Sequence, residues 1–142
     1  MGERIVNAKE FLRQIKKIEI ELSMLEHEIS DLYTPISAVR FDNVPGVPDA
    51  DATLHIVERI DTLKERYLKR IDELLTIRDE IVTTILRMQN TNAAKVIYHR
   101  YVDLWSYGRI ARRLSYSVSH VKRLHFEGLQ EIEMMIHNNT SA

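Results

Sequence analysis

Apolar residues recur at alternating steps of three and four positions along the first third of the chain. The stripe consists of Ala8, Phe11, Ile15, Ile18, Leu22, Leu25, Ile29 and Leu32. The positions between them are mostly charged or polar. This spacing places the apolar side chains on one face of a helix and is typical of a coiled-coil seam. The sequence therefore predicts one long amphipathic helix here.

A second helical stripe follows the first. It consists of Leu54, Ile56, Ile60, Leu63, Tyr67, Ile71, Leu74, Ile77, Ile81, Ile85 and Met88. Two long amphipathic helices in succession most simply fold back as an antiparallel hairpin, although pairing between two chains would satisfy the same pattern. We therefore expect residues 1–90 to form a long, coiled-coil-like antiparallel hairpin that serves oligomerisation or partner contact.

The connector between the two stripes, residues 34–53, holds all three prolines of the chain. Because proline removes a backbone hydrogen bond of a helix, we expect neither helix to continue through this segment. A loop of this length is uncommon inside a compact domain unless it is functional or disordered. We expect a flexible connector. The alternative is that Phe41 or the acidic residues Asp49 and Asp51 dock on a partner.

Positive charge is concentrated in the last third of the chain, although the whole chain has 20 Lys or Arg against 21 Asp or Glu. Residues 93–125 contain seven basic residues and a single acidic one, Asp103. Six of the ten aromatic residues also lie beyond residue 92. A basic and aromatic segment of this kind indicates an anionic partner. The alternative is an ordinary solvated helix face.

The sequence offers no pattern typical of catalysis or metal binding. It has no Cys, which excludes disulfides, thiolate zinc sites and thiol catalysis. Neighbouring carboxylates such as Asp72 and Glu73 diverge by about 100° on a helix, and there is no phosphate-binding loop or nucleophile elbow. No apolar run exceeds three residues, too few for a membrane span or signal peptide. We therefore expect a cytoplasmic, all-α protein that is not an enzyme and uses no metal or cofactor.

The last third predicts three shorter helices. Ser106 and Ser117 are suited to cap the second and third of them, with a tight turn in between. The residues expected to pack the three together are Ile97, Tyr101, Ile110, Ala111, Leu114, Val121, Leu124, Gly128 and Ile132. The small Ala111 allows two helices to cross closely, and the spacing of the larger residues fits a helix-turn-helix. We therefore predict a helix-turn-helix domain at residues 91–142.

The helix that begins near Val118 carries polar residues on its outer side. The outward residues are Ser119, Arg123, Phe126, Glu127 and Gln130, with His120 and Lys122 as flanks. In a helix-turn-helix, the start of this helix enters the DNA major groove. Arg123 can donate a bidentate pair to guanine, whereas Ser119 and His120 can reach a base edge or a phosphate. Lys122 is suited to neutralise phosphate.

Two further features concern the residues before this helix and one residue within it. Arg112 and Arg113 end the preceding helix and would lie towards the DNA backbone. Phe126 is a large apolar residue that faces outward. It either contacts a thymine methyl group or packs against the long helices or another subunit, and we favour packing.

Several short motifs of the last third resemble a known family. They are Tyr98-His-Arg-Tyr101, Trp105-Ser-Tyr-Gly-Arg-Ile-Ala-Arg-Arg-Leu-Ser-Tyr-Ser117, Val121-Lys-Arg-Leu-His125 and Gly128-Leu129. The segment is similar to the ArpU/RinA-like family of phage and prophage transcriptional regulators. The C-terminal part of that family is itself similar to the promoter-binding fourth region of bacterial sigma factors. The resemblance is close over residues 93–137 and loose over most of the remaining chain.

The resemblance implies a DNA-binding regulator of phage late or packaging genes in the cytoplasm of a bacterial host. The recognition residues that it implies are Ser117, Ser119, His120, Lys122 and Arg123. Three positions depart from the usual motif. Arg109 stands where Glu would complete a capping box, Gly108 lies inside a helix, and Ser115 occupies a turn position that is usually Gly.

Three functions are compatible with these features. The first is a sequence-specific transcriptional regulator that binds double-stranded DNA as a homo-oligomer, with a dimer favoured and RNA polymerase as a further candidate partner. The second is a DNA-packaging subunit of the small-terminase type, which a ring-shaped oligomer with weak sequence preference would favour. The third is an adaptor that binds only protein. Binding that is insensitive to salt would favour the adaptor, because phosphate contacts release counterions.

Overall fold

The computed structural model describes the backbone of residues 2–41 and 50–140 and the side chains of residues 7–34 and 50–138. These residues form five α-helices and no strand. The helices are α1 (Gly2–Phe41), α2 (Ala50–Leu86), α3 (Thr91–Tyr101), α4 (Tyr107–Leu114) and α5 (Val118–Thr140). The prediction of an all-α protein is confirmed.

The two long helices extend further than the sequence predicts. α1 continues through Pro35 to Phe41, and α2 begins at Ala50. The expectation of a loop over residues 34–53 is therefore wrong at both ends of that segment. Proline removes one backbone hydrogen bond and crowds the carbonyl four residues before it, but a long helix can still form its other hydrogen bonds on both sides.

The docking alternative for this segment concerns residues that the structure describes only in part. Residues 42–49 and the side chain of Phe41 lie outside the described residues. Asp51 lies in the first turn of α2 and is exposed. A carboxylate at this position interacts favourably with the positive end of the helix dipole. That interaction alone can account for an acidic residue at this position, and docking stays a prediction.

Residues Ile18–Leu74 form one compact unit, built from parts of α1 and α2. Its buried apolar side chains are Ile18, Leu22, Ile60 and Leu63. Polar contacts also join the helices. The Nε of Arg70 donates to Glu21 at 2.6 Å, and the hydroxyl of Tyr67 donates to Glu26 at 2.5 Å. Of these two pairs, the one with the later residue of α1 contains the earlier residue of α2.

The segments Met1–Lys17 and Leu75–Ala142 form the other compact unit. Its core includes Ala8, Leu12, Ile15, Ile81, Ile85, Ala93, Val96, Ile97, Ile110, Val121 and Ile132. The buried carboxylate of Glu133 on α5 accepts a hydrogen bond from the backbone N–H of Ala8 at 3.0 Å. The start of α1 and the end of α2 supply part of the core that α3 to α5 share, and the boundary between residues 90 and 91 stays a prediction.

Serine side chains cap α4 and α5 as predicted. The Oγ of Ser106 accepts a hydrogen bond from the backbone N–H of Arg109 at 3.2 Å. The Oγ of Ser117 accepts one from the backbone N–H of His120 at 3.1 Å. Each cap satisfies a donor that the first turn of a helix leaves without an intrahelical partner. The predicted positions of both helix starts are therefore confirmed.

The three short helices pack against one another through the residues that the sequence predicts. All of the nine predicted packing residues are buried except Leu114, which is half-buried. α5 comes closest to α3 at Gly128. A Cβ atom added there would lie 2.5 Å from Cγ1 of Ile97. The close approach of these two helices therefore depends on the missing side chain of Gly128.

We expect the substitution Ser115→Gly to raise the free energy of unfolding by up to about 1 kcal/mol. Ser115 ends α4 in the left-handed region, with a φ of 59°, where a Cβ atom is disfavoured and glycine is the usual residue. Urea denaturation followed by circular dichroism measures the change. The control Ser117→Gly removes a capping hydroxyl and should lower the stability by a few tenths of a kcal/mol. A loss of stability in Ser115→Gly would contradict the expected backbone strain.

Candidate nucleic-acid interface

The seven residues predicted to contact DNA lie along one short stretch, from the end of α4 to the second turn of α5. Arg112 and Arg113 occupy the last turn of α4. The predicted contact residues at and after the start of α5 are Ser117, Ser119, His120, Lys122 and Arg123. All seven side chains are exposed except that of His120, which is half-buried. The stretch is therefore open to a partner.

The cations of this stretch have no carboxylate partner in the part of the chain that the structure describes. None of the ion pairs among the described residues involves Arg112, Arg113, Lys122 or Arg123. The closest acidic residues along α5, Glu127 and Glu131, accept hydrogen bonds from residues 89 and 90 at the start of α3. The start of α5 therefore keeps a positive field, which favours an anionic partner.

Ser117 has a structural role besides the predicted one. Its Oγ accepts the capping hydrogen bond from His120, as described above. The hydroxyl can still donate its own proton, since a serine oxygen both accepts and donates. Ser119, two residues after Ser117, has an exposed side chain with a second hydroxyl group. A helix start of this kind combines oriented N–H groups with hydroxyl donors and is suited to a phosphate group.

His120 and Arg123 contact each other directly. The Nη2 atom of Arg123 lies 2.6 Å from Nδ1 of His120. The ring of Tyr116 packs edge-on against the ring of His120, with 4.7 Å between centroids. The sequence predicts separate contacts to DNA for His120 and Arg123, whereas the structure joins them in one hydrogen-bonded pair.

Phe126 lies on the same side of α5 as Ser119 and Arg123, because the three are spaced by four and three residues. Its side chain is 51% exposed. About half of its surface is therefore open to solvent. The favoured packing against the long helices or another subunit stays a prediction, and so does contact with a thymine methyl group.

A cluster of aromatic rings and cations adjoins the start of α5, and the sequence analysis did not identify it. The Nε2 atom of His125 lies 2.7 Å from the hydroxyl of Tyr101, and its Nδ1 lies 3.5 Å from the hydroxyl of Tyr107. The guanidinium of Arg100 lies 4.4 Å from the centroid of the Tyr107 ring, and Lys122 lies 5.9 Å from it. The Lys122 ammonium therefore belongs to both groups of residues.

Trp105 forms the other edge of this cluster. The imidazole of His99 stacks on its indole ring, with 4.4 Å between centroids and an angle of 2°. The guanidinium of Arg109 lies 4.3 Å from the same ring, and Asp103 lies 2.7 Å from Nδ1 of His99. Arg109, which replaces the usual Glu of a capping box, thus gains a cation–π contact.

Charges from α1 also reach this cluster. Burial lowers the pKa of His125 to about 4, and repulsion by Arg100, Lys9 and Arg13 contributes to the same shift. Burial raises the pKa of Tyr101 to about 12. The electrostatic effect places Lys9 and Arg13 of α1 near the cationic surface of the short helices. Sequence inspection missed both, because they lie about a hundred positions away in a segment interpreted only as part of the hairpin.

We expect His125 to be neutral at pH 7 and to titrate near pH 4 in an NMR titration of its ring resonances. In the unfolded chain a histidine takes up its proton near pH 6.5. The free energy of unfolding should therefore be highest above pH 6.5 and should fall as the pH decreases from about 6.5 towards 4. The substitution His125→Gln removes this group and should reduce the pH dependence in that window. Titration of His125 near pH 6.5 would contradict its burial.

Neither a metal site nor a membrane span is found in the part of the chain that the structure describes. Within it, no three His, Asp or Glu side chains converge in a way that could hold a metal ion. No described helix is both long enough and apolar enough to cross a bilayer.

Comparisons with other proteins add no relative. No protein-family model matches the sequence, and a search of curated proteins and a search of solved structures find no match either.

Proposed function

We propose that this protein is a sequence-specific, DNA-binding transcriptional regulator of the phage or prophage type. The observation that carries the proposal is the exposed, cationic start of α5, whose Lys and Arg side chains form no ion pair with a carboxylate among the described residues. A positive surface on a helix end is the electrostatic feature that DNA-binding helices share.

α4, the three residues after it and α5 are proposed to act as a helix-turn-helix. Ser115 in the left-handed region and the capping Ser117 define the turn. Ile110, Ala111 and Val121 are buried between the helices and hold their crossing. In this arrangement α5 is the helix that enters the major groove, and Arg112 and Arg113 of α4 face the phosphate backbone.

Phosphate contacts are proposed to extend beyond α5. Lys122 lies next to the Tyr107 ring, and the same ring contacts Arg100. Lys9 and Arg13 are close enough to this cluster to affect the pKa of His125. A regulator that contacts DNA over several elements would gain affinity from each neutralised phosphate, with no information about base sequence.

The long helices are proposed to form an antiparallel hairpin through which two copies associate. Support comes from the contacts of Glu21 with Arg70 and of Glu26 with Tyr67, in which the order along one helix is the reverse of that along the other. A two-fold dimer would present two copies of α5 to half-sites separated by about 34 Å or a multiple of it. RNA polymerase is a further candidate partner of the same helices.

Selection of bound duplexes from a random DNA pool, at low and at physiological salt, tests the proposal. The mass of the complex is determined in the same samples. We expect a two-fold symmetric motif bound by a dimer, with affinity that falls as salt increases. Salt-sensitive binding without a motif, by a ring-shaped oligomer, would instead favour a packaging subunit of the small-terminase type. The absence of binding at both salt concentrations would favour a protein adaptor.

A further inference from the structure

We propose that His120 is a positioning residue that orients Arg123 for a contact with guanine. This inference rests on the proposed DNA-binding function and assigns His120 a role different from a direct contact to DNA. Its basis is the distance of 2.6 Å between Nη2 of Arg123 and Nδ1 of His120.

The chemistry of the two side chains determines the direction of this hydrogen bond. A guanidinium group has five N–H donors and no acceptor, and it stays charged at any physiological pH. Nδ1 of His120 must therefore accept, which places the ring proton of the neutral imidazole on Nε2. Four N–H groups of Arg123 remain available after this bond. A bidentate contact with N7 and O6 of guanine requires two of them.

His120 is itself held by neighbouring residues. Its backbone N–H donates to the Oγ of Ser117, and its ring contacts the Tyr116 ring edge-on at 4.7 Å. The hydroxyl of Tyr116 donates to Oδ1 of Asn92, at the start of α3, at 3.4 Å. His120 is half-buried, whereas Arg123 is exposed. A chain of contacts therefore runs from α3 through Tyr116 and His120 to the guanidinium.

This arrangement reduces the conformational freedom that Arg123 would lose on binding DNA. An exposed arginine samples many rotamers, and a specific contact selects one of them. A partner that already restricts the side chain in the free protein lowers that cost, which is worth roughly five- to tenfold in affinity for one long side chain. The benefit applies to the guanine contact alone, since non-specific phosphate contacts tolerate many side-chain orientations.

Three variants of His120 test the role in the full-length protein. In His120→Asn, the side-chain Oδ1 can accept a hydrogen bond near the position of Nδ1. In His120→Gln the acceptor lies one bond further out, and His120→Ala has none. The selected duplex and a copy with the guanine replaced are used as probes. We expect roughly five- to tenfold weaker binding of the selected duplex by the Ala and Gln variants, unchanged binding of the altered duplex, and near-normal discrimination by Asn.

A second substitution separates positioning from direct contact. In the Arg123→Ala background, His120→Ala should have no further effect on binding, because the residue that it orients is gone. Additive losses would overturn the proposal, and so would a changed preference at a base pair different from the one that depends on Arg123. His27→Ala, an exposed histidine on α1, is the matched control, and thermal melting checks that each variant folds.

A measurement on the free protein tests the same role without DNA. The ¹⁵N chemical shifts of the His120 ring report which nitrogen carries the proton. We expect the Nε2–H tautomer in the wild type and a shift towards the mixture of an unrestrained histidine in Arg123→Ala. The Nδ1–H tautomer in the wild type would overturn the positioning role while leaving DNA binding intact. A wild-type protein that bound no duplex would overturn both the function and this role.

Discussion

The substitution Gly128→Ala is expected to lower the free energy of unfolding by about 1–3 kcal/mol. The added Cβ would lie 2.5 Å from Cγ1 and 2.9 Å from Cδ1 of Ile97, and 3.5 Å from Cβ of Ala93. Ile97 and Ala93 are fully buried, so moving either of them would disturb the surrounding packing. The branched side chain of Ile97 is also restricted to few rotamers in a helix. The expected loss exceeds the gain of up to about 1 kcal/mol that alanine normally brings over glycine inside a helix.

Gly108→Ala is the matched control for this prediction. Gly108 also lies inside a helix, but the nearest atom to an added Cβ is Nη1 of Arg112 at 3.9 Å, an ordinary contact with a flexible side chain. Alanine should therefore raise the stability there by up to about 1 kcal/mol. Urea denaturation of both variants measures the opposite signs. If Gly128→Ala were as stabilising as Gly108→Ala, α3 and α5 could not approach as closely as the structure places them.

A double variant identifies the cause of the loss. Ile97→Ala alone removes buried apolar atoms and should cost about 2–5 kcal/mol. In the Gly128→Ala background, it should cost less than it does alone, because it also removes the two atoms that the new methyl group meets. Equal costs in the two backgrounds would indicate that Gly128 is required for some reason other than its distance from Ile97.

The sequence is most informative where local signals determine the structure. The caps at Ser106 and Ser117 depend on one side chain and a backbone N–H three residues later, and both form as predicted. Ser115 takes the left-handed conformation even though the residue is not Gly, because a helix end followed by a three-residue turn requires it. Local geometry of this kind can be predicted without knowledge of the rest of the fold.

Contacts between residues far apart in the sequence are harder to predict from local sequence patterns. The regular stripe of α1 includes Phe11, yet Leu12 is fully buried and Phe11 is only half-buried. The start of α1 packs in the unit that contains α3 to α5. Contacts within that unit, and not the spacing of the predicted hairpin stripe, therefore determine which of its side chains are buried. The same long-range packing brings Lys9 and Arg13 towards His125, and no local pattern around either of them predicts it.

Pro35 is a further position where the local sequence predicts a helix end that does not occur. A proline disfavours a helix at the residue before it and removes one hydrogen bond. α1 nevertheless continues to Phe41. The proline lowers the local stability of the helix. Whether the helix continues depends on how much the residues on both sides of the proline stabilise it.

Arg123 and Lys122 are expected to affect DNA binding in different ways. Arg123→Ala should weaken binding to the selected duplex by about 1–3 kcal/mol and should have little effect on unrelated duplexes, because it removes a contact to one base pair. Lys122→Ala should weaken binding to every duplex alike. It should also reduce the slope of log affinity against log salt by about one, because it removes one phosphate contact.

The positions of the two side chains are the reason for this expectation. Nη2 of Arg123 lies 2.6 Å from Nδ1 of His120 on the exposed side of α5, and we propose that this contact orients the guanidinium. The ammonium of Lys122 lies 5.9 Å from the centroid of the Tyr107 ring and forms no ion pair among the described residues, so it can follow a phosphate in many orientations. An oriented planar group suits discrimination between bases, whereas a flexible point charge suits the DNA backbone.

Binding curves for both variants on the selected duplex and on a scrambled duplex, at four salt concentrations, measure the two effects. Arg66→Ala, which removes an exposed arginine from α2, controls for the loss of one positive charge elsewhere on the protein. An equal loss on both duplexes for Arg123→Ala would refute its contact with a base. An effect of Lys122→Ala limited to one base pair, with an unchanged salt slope, would mean that the roles of these two neighbouring residues are reversed. In that case α5 would be rotated about its axis in the groove by roughly 100°, the angle that separates consecutive helical residues.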